Sequence, residues 1–166
     1  VTPSDTAPAL VALEAQMVIR NEGGERIVDA EDFWIGPALD IENTTVLRPG
    51  DILTAVRIPA KWANAEFYFE KVADRNVWDF ALVSIAAAMR VEGGNIADSR
   101  MVAGAVQCTP RRLTNVERAI RGQPRNQATA DMVAGMASQG AKPLTRNHFK
   151  MPLMDNLVKR ALTMTA

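Results

Sequence analysis

A long apolar hairpin between residues 81 and 106 constrains the fold of this chain more than any other feature. Two runs of small and branched residues, 81–91 and 96–106, flank the turn Glu92-Gly93-Gly94-Asn95. The alanines of the first run would also suit a helix, but paired glycines allow the positive φ of a tight hairpin turn. Val and Ile beside the turn favour strands. The sequence therefore predicts an antiparallel pair here, and the alternation of aromatic and charged residues over 66–72 predicts a third strand with unlike faces.

Three helices are predicted after this hairpin. Thr114 and Glu117 have the spacing of a capping box, which predicts a helix ending at Gly122. A second helix is predicted over 128–139. The third has an apolar face made of Met154, Leu157, Val158, Ala161 and Leu162. A three-stranded antiparallel sheet packed against three helices is an α+β architecture.

The first 60 residues have a different pattern. A short helix over 7–15 follows Ser4 or Asp5, either of which has a side-chain oxygen suited to capping it. Strands at 17–20 and 26–28 flank a Gly-Gly hairpin turn, a single helical turn is predicted over 30–34, and a third strand is predicted over 51–58. We place a boundary at 59–64, which gives two units, 1–60 and 61–166.

Charge and composition restrict the possible partners. The chain has 19 basic and 19 acidic residues, so no overall field attracts nucleic acid or an anionic membrane. No apolar run reaches the roughly 20 residues of a membrane-spanning helix. The first residues lack the parts of a signal peptide, so a cytoplasmic location is expected. The start on a predicted helix cap, without Met, predicts a fragment of a longer protein.

The residue types that usually carry catalysis are scarce. Cys108 and His148 are the single cysteine and histidine, which argues against a disulfide, a cysteine-held cluster or a zinc site built from this chain alone. Five arginines lie in 111–125, but no aromatic residues are interleaved with them to stack on bases. This stretch therefore favours a solvated or partner-facing helix over nucleic-acid binding.

Charged residues at three places in the chain are candidates for function. Asp5 is either a helix cap or a functional carboxylate. Lys71, beside Phe67 and Phe69 on the predicted strand, either faces an anionic or electron-rich ligand or extends its ammonium into water. The pair of Arg75 with an aspartate four residues later favours a structural ion pair over a catalytic one.

The chain resembles the FAD-binding subunit of the molybdenum hydroxylases, the relatives of xanthine dehydrogenase, carbon monoxide dehydrogenase and aldehyde oxidoreductase. The resemblance covers nearly the whole chain and depends on the order and spacing of its pieces. In the first half these are Ser4-Asp5, Ala12-Leu13-Glu14-Ala15, Gly24-Glu25-Arg26, Glu31-Asp32-Phe33, Leu47-Arg48-Pro49-Gly50-Asp51-Ile52-Leu53 and Ile58-Pro59. In the second half they are Lys71, Arg75, Asp79-Phe80-Ala81, Asp98-Ser99-Arg100, Gly104-Ala105-Val106, Pro110-Arg111-Arg112, Glu117 and Arg160-Ala161-Leu162.

This resemblance implies that residues 1–60 are the tail of an α+β FAD-binding subdomain and that 61–166 are the C-terminal flavoprotein domain. It also implies that Asp5, Leu53 and Lys71 bind FAD, with Asp5 and Lys71 as polar contacts and Leu53 packed on the flavin ring. Thr54 departs from the aliphatic residue of some relatives, so the register at Leu53 stays open by one. The glycine-rich pyrophosphate loops of the family lie upstream, so the fragment alone should be inactive and should bind FAD weakly or not at all.

The implied role is electron transfer. Electrons from a molybdenum centre would pass through [2Fe-2S] clusters, both on partner subunits, to FAD and then to an acceptor. A non-catalytic module that docks the iron–sulfur and molybdenum subunits is the alternative. Periplasmic export with a partner is the alternative to the cytoplasm. The substrate pocket would lie on another chain, and the acceptor would be NAD, oxygen or another carrier.

Overall fold

The computed structural model describes residues 2–164, which contain two antiparallel sheets. The first sheet has the order β2-β1-β3. Its strands and the short helices near them are α1 (Thr6–Ala12), β1 (Gln16–Asn21), β2 (Gly24–Asp29), α2 (Ala30–Phe33) and β3 (Ile52–Arg57), followed by a 3₁₀ turn at Ala60–Trp62.

The second sheet has the order β4-β5-β6-β7 and is covered by helices. Its elements are β4 (Glu66–Val72), β5 (Val83–Glu92), β6 (Asn95–Gly104), β7 (Arg111–Arg112), α3 (Thr114–Ile120), α4 (Gln127–Met132) and α5 (Lys150–Thr163). The predicted α+β class is confirmed. The two-residue strand β7 extends the three strands that the sequence predicted.

The central strands of the second sheet, β5 and β6, are largely buried on both faces. One face packs on α3, α4 and α5 through the alternate residues Val83, Ile85, Ala87 and Met89 of β5. The other face packs on α1, with Ala86 and Val102 in the same cluster as the helix. The segment 1–60 therefore shares a core with the sheet of the second predicted unit, and the boundary near residue 60 stays a prediction.

Helix α1 lies close to the second sheet because the strands have small residues beneath it. A Cβ atom at Gly104 would lie 2.4 Å from Ser84 Oγ and 2.7 Å from Cγ of Pro8 in α1. Both distances are shorter than real Cβ contacts, so glycine is required for this approach. Gly104 thus sets how near the start of α1 comes to β5 and β6.

One predicted helix end and one predicted capping box are wrong. Helix α1 ends at Ala12 instead of residue 15, because Glu14 has a left-handed φ of 51°. The capping box at the start of α3 does not form, since Leu113 is the N-cap. The Glu117 carboxylate instead accepts the Met101 N–H at 2.9 Å and binds Arg112.

Helix α4 is shorter than its sequence pattern predicted. It ends at Met132, and turns continue the chain to Gly140. Gly135 has a φ of +79° in this stretch, which interrupts a regular helix. The apolar face predicted for the last helix is confirmed, because all five of its residues are buried in α5.

We predict that Gly104→Ala destabilises the fold by about 1–3 kcal/mol, because the added methyl group overpacks the contact with Pro8 and Ser84. Urea unfolding measures the change. Gly36→Ala is the control, since its Cβ would meet Cys108 Cβ at an ordinary 3.6 Å. Equal stability of the two variants would contradict the close packing of α1.

Candidate functional site

The structure brings two of the predicted site residues, Asp5 and Lys71, into direct contact. Lys71 Nζ donates to Asp5 Oδ2 at 2.7 Å and to the Asp79 carbonyl at 2.6 Å. The helix-capping role goes to Ser4, whose Oγ accepts the Ala7 N–H at 3.2 Å. The Asp5 carboxylate is therefore available for the ion pair, and its side chain is 50% exposed.

Strand alternation explains why Lys71 reaches α1. Tyr68 and Val72 of β4 pack towards the core formed with the C-terminal helices. Phe67, Phe69 and Lys71 alternate with them and occupy the opposite face, on which α1 lies. Phe67 lines an apolar groove with Leu13, just beyond the end of α1, while Lys71 meets Asp5 at its beginning.

A pocket of about 320 Å³ opens beside this ion pair. Asp5 forms part of its wall, together with Phe80, Ala81, Ser84 and Lys150. Ser84 is the cross-strand partner of Lys71 in the β4–β5 register, so the pocket and the ammonium group lie on adjacent strands. The arrangement combines one carboxylate, two cations and apolar walls, with Lys150 in the wall and Lys71 bound to Asp5 beside it.

The loop between β4 and β5 is held by Arg75 and Asp79. The Arg75 N–H donates to Asp79 Oδ2 at 2.9 Å, and the Arg75 guanidinium donates to the Trp78 carbonyl at 2.7 Å. The backbone hydrogen bond from Arg75 lowers the pKa of Asp79. The predicted structural pair is confirmed, and it fixes the Asp79 carbonyl that Lys71 binds.

Leu53 lies on the first sheet, whereas Lys71 lies on the second sheet and Asp5 occupies the N-cap position of α1. Leu53 pairs with Ile19 of β1, and the residue is 39% exposed on the edge strand β3. The neighbouring Thr54 hydroxyl donates to the Val18 carbonyl at 3.2 Å, which occupies it within the sheet. Leu53 takes no part in the contact of Asp5 with Lys71, and its role stays a prediction.

Asp51 fixes the beginning of β3. Its carboxylate accepts the Arg48 N–H at 2.9 Å and hydrogen bonds from Arg26 at 2.5 Å and Asn21 at 2.8 Å. The Arg48 N–H makes the largest contribution, and together these donors lower the pKa of Asp51 to about 2. The carboxylate therefore joins β1, β2 and the turn that launches the strand carrying Leu53.

The sequence did not predict an ion-pair network at the other end of α1. Arg100, which is 9% exposed, donates to the Val11 carbonyl at 3.2 Å and binds Glu14 at 3.1 Å and Glu31 at 2.7 Å. Glu31 also pairs with Arg112 at 3.2 Å. The sequence feature that could have indicated this network is Arg100, the single arginine of the largely buried strand β6.

Glu14 is the point where this network meets the 3₁₀ turn. The Trp62 indole N–H donates to its carboxylate at 2.9 Å, and Lys61 pairs with it. Burial tends to raise the pKa of Glu14, but the hydrogen bonds from Lys61 and Trp62 and the charge of Arg100 together lower it. These contacts hold Glu14 in its left-handed conformation after the helix.

Two family models match the chain in succession. The model described as FAD binding domain in molybdopterin dehydrogenase matches residues 1–61. The model described as CO dehydrogenase flavoprotein C-terminal domain matches residues 68–165, more than half of the chain. The chain belongs to the molybdenum hydroxylase flavoprotein family. The resemblance inferred from the sequence is confirmed.

Individual relatives agree with this assignment. The chain is 30% identical to the glyceraldehyde dehydrogenase medium chain of Sulfolobus acidocaldarius over 84% of its length and 47% of that relative. It is 31% identical to the aldehyde oxidoreductase FAD-binding subunit PaoB of Escherichia coli, over 91% and 44% of the two chains. The chain thus spans about half the length of the curated relatives it matches.

A solved relative has the same fold. The structure of quinoline 2-oxidoreductase from Pseudomonas putida 86 aligns with a TM-score of 0.81 at 25% identity, covering 96% of this chain and 55% of that chain. Within residues 2–164, none of the helices is both long and apolar enough to cross a bilayer.

We predict that Asp51→Asn reduces the acid sensitivity of the fold. Folding lowers the pKa of Asp51 from 3.8 to about 2, so the ionised carboxylate stabilises the folded state. This stabilisation is complete at pH values above 3.8 and is lost as the pH falls through about 2. The variant should be less stable at neutral pH and have a flatter stability profile across this window. Urea unfolding at a series of pH values checks this.

Asp32→Asn is the matched control for this experiment. Asp32 is an exposed acid whose side chain forms no hydrogen bond or ion pair within residues 2–164. The Asp32→Asn variant should have the same dependence of stability on pH as the wild type. If the free energy of unfolding of Asp51→Asn varied with pH as steeply as that of the wild type, the Asp51 carboxylate would contribute nothing to the pH dependence.

Proposed function

We propose that the chain is part of the FAD-binding, electron-transferring subunit of a molybdenum hydroxylase of the xanthine dehydrogenase or aldehyde oxidoreductase type. The subunit would pass electrons from [2Fe-2S] clusters to FAD and on to an acceptor. The iron–sulfur clusters and the molybdenum cofactor would belong to partner subunits. The contact of Asp5 with Lys71, at the edge of a pocket, is the observation that carries the proposal.

The polar atoms of this contact suit a flavin. A lysine ammonium has three N–H donors, and Lys71 uses two of them on Asp5 and Asp79, so one is left for a ligand. Within residues 2–164, Asp5 Oδ1 accepts no hydrogen bond and can accept one from the imide N–H or a ribityl hydroxyl of a flavin. Apolar walls beside these groups suit the ring of the cofactor.

Each of the three residues has a separate task in this proposal. Bound FAD supplies the redox chemistry, since it accepts and releases electrons one or two at a time. Lys71 holds a positive charge where a ligand becomes more negative on reduction, and this charge favours the reduced form. Asp5 orients the Lys71 ammonium and accepts a hydrogen bond, and Leu53 offers an apolar surface for the ring.

The two segments would divide the work of the subunit. Residues 1–60 would complete the second FAD-binding subdomain, and residues 61–166 would form the C-terminal flavoprotein domain. The family assignment favours this role over the assembly module that the sequence left open as an alternative.

We predict that Lys71→Met in the intact subunit makes the midpoint potential of bound FAD more negative, because a cation that stabilises the reduced cofactor is lost. Flavin affinity should also fall by about tenfold, as expected for one charge-assisted hydrogen bond. Spectroelectrochemical titration and flavin absorbance measure the two quantities.

Lys159→Met is the control for charge removal, since Lys159 pairs with Asp131 at 2.7 Å on the helical side of the fold. It should keep the wild-type potential. The contradicting result is a Lys71→Met subunit that has the wild-type flavin potential and flavin content but no longer assembles with the other subunits. This result would favour the assembly module over the flavin-binding role of Lys71.

A further inference from the structure

A second pocket, of about 330 Å³, has an entirely basic set of charged lining residues. These are Arg111, Lys142 and Lys150, and Gln107 and Asn147 add amide groups. Among residues 2–164, no Asp or Glu lines this pocket. In a chain with equal numbers of acids and bases, three cations around one cavity are a marked local excess.

Two of these cations have no protein partner in the part of the chain that the structure describes. Over residues 2–164, the side chains of Arg111 and Lys142 form no ion pair and no hydrogen bond. Lys150 Nζ donates to the Ala105 carbonyl at 2.9 Å, which leaves two of its N–H donors. Like charges around a cavity repel each other, and a bound anion would relieve this repulsion.

Three of the five arginines in the basic stretch 111–125 have partners within the fold. Arg112 binds Glu117 at 2.6 Å, and Arg121 binds Asp98 at 3.0 Å. Arg125 pairs with Glu66 and donates to the Ala161 carbonyl at 3.0 Å. Most of the basic stretch that the sequence singled out is therefore used within the fold, whereas Arg111 is left facing the cavity.

Three elements fix the positions of the cations. Arg111 and Arg112 are consecutive in β7, so strand alternation directs them to opposite faces, and Ala103 of β6 pairs with Arg111. In the loop carrying Lys142, Asn147 Oδ1 accepts the Leu144 N–H at 2.6 Å. Lys150 begins the 14-residue helix α5, whose N-terminal end adds a partial positive charge.

We propose that this cavity is an oxyanion site that takes the phosphoryl group of a small phosphorylated ligand. The planar guanidinium of Arg111 can bind two oxygens of one phosphoryl group, and the two lysines supply charge around it. The cavity is near the lower end of the size range of small-molecule pockets, which favours a ligand portion the size of a diphosphate. The site goes beyond the proposed function, because Asp5, Leu53 and Lys71 are not among the residues that line it.

The oxyanion site adjoins the pocket beside Asp5. Lys150 lines both cavities, and the consecutive residues Ala105 and Val106 line one each. The phosphoryl group could therefore come from two sources, namely the diphosphate of FAD itself or a separate phosphorylated molecule bound next to it. The chemistry of recognition is the same for both.

The test is a calorimetric titration of the 166-residue chain with inorganic pyrophosphate at low ionic strength. We expect saturable binding with one site per chain, weakened at least tenfold in the double variant Arg111→Gln/Lys142→Gln. Neither side chain has a structural partner within residues 2–164, so circular dichroism of this variant should match the wild type. Absent or non-saturable binding to the wild type would overturn the proposal.

Arg118→Gln is the matched control. Arg118 is exposed, lies in the same basic stretch and is not among the residues that line the cavity. It should change pyrophosphate affinity by less than twofold. Equal weakening by Arg118→Gln and by the double variant would mean diffuse charge attraction without a site, and would also overturn the proposal.

A second arm identifies the source of the phosphoryl group. The titration is repeated in the intact subunit with and without saturating FAD. The binding that counts is the part lost in Arg111→Gln/Lys142→Gln, because the glycine-rich loops expected upstream can also bind pyrophosphate. Competition by FAD for this part assigns the site to the diphosphate of the cofactor, and binding that FAD leaves unchanged assigns it to a separate ligand. Both results support an oxyanion site. Failure of the oxyanion-site proposal is distinguishable from failure of the flavin proposal. Lys71→Met tests the flavin potential, and Lys71 does not line this cavity.

Discussion

The close contact of helix α1 with the β5–β6 face is the constraint on which the candidate site depends. Gly104 lets Pro8 approach the sheet, and no larger residue fits without movement of the helix or of Ser84. This contact lies beside the pocket wall that Ser84 and Asp5 share. Because the start of α1 is fixed there, the Asp5 carboxylate meets an ammonium group that comes from a strand 66 residues later in the chain.

The far end of α1 is fixed by charge instead of by close packing. Arg100 binds a helix carbonyl and two carboxylates, and Glu14 connects it to the 3₁₀ turn before β4. Partly buried ion pairs add little net stability, because the loss of hydration offsets much of the attraction. Their effect here is orientation. With both ends held, α1 presents Asp5 at one position relative to β4.

Features that follow from local periodicity could be predicted from the sequence. The Gly93-Gly94 turn, the alternation of β4 and the buried face of α5 depend on residues close together in the chain, and all three are present in the structure. The capping box at Thr114 failed because Glu117 has stronger partners, Arg112 and the Met101 N–H, on another element. Local pattern does not reveal such competition.

The site itself depended on more than pattern. Residue types alone left Asp5 as either a cap or a functional group, and the family resemblance was needed to favour the second. In the structure Ser4 takes the cap and leaves the Asp5 carboxylate for Lys71, and the role of Asp5 towards a flavin stays a prediction. The unpartnered state of Arg111 had no signature in the sequence, since the same stretch contains arginines that are fully paired.

A crystal structure of the intact, flavin-loaded subunit tests the central claim most directly. The account predicts that polar atoms of the flavin lie within about 3.2 Å of both Lys71 Nζ and Asp5, with the contact between these two side chains retained. A flavin ring bound remote from both side chains, with the ion pair closed and facing water, would contradict it.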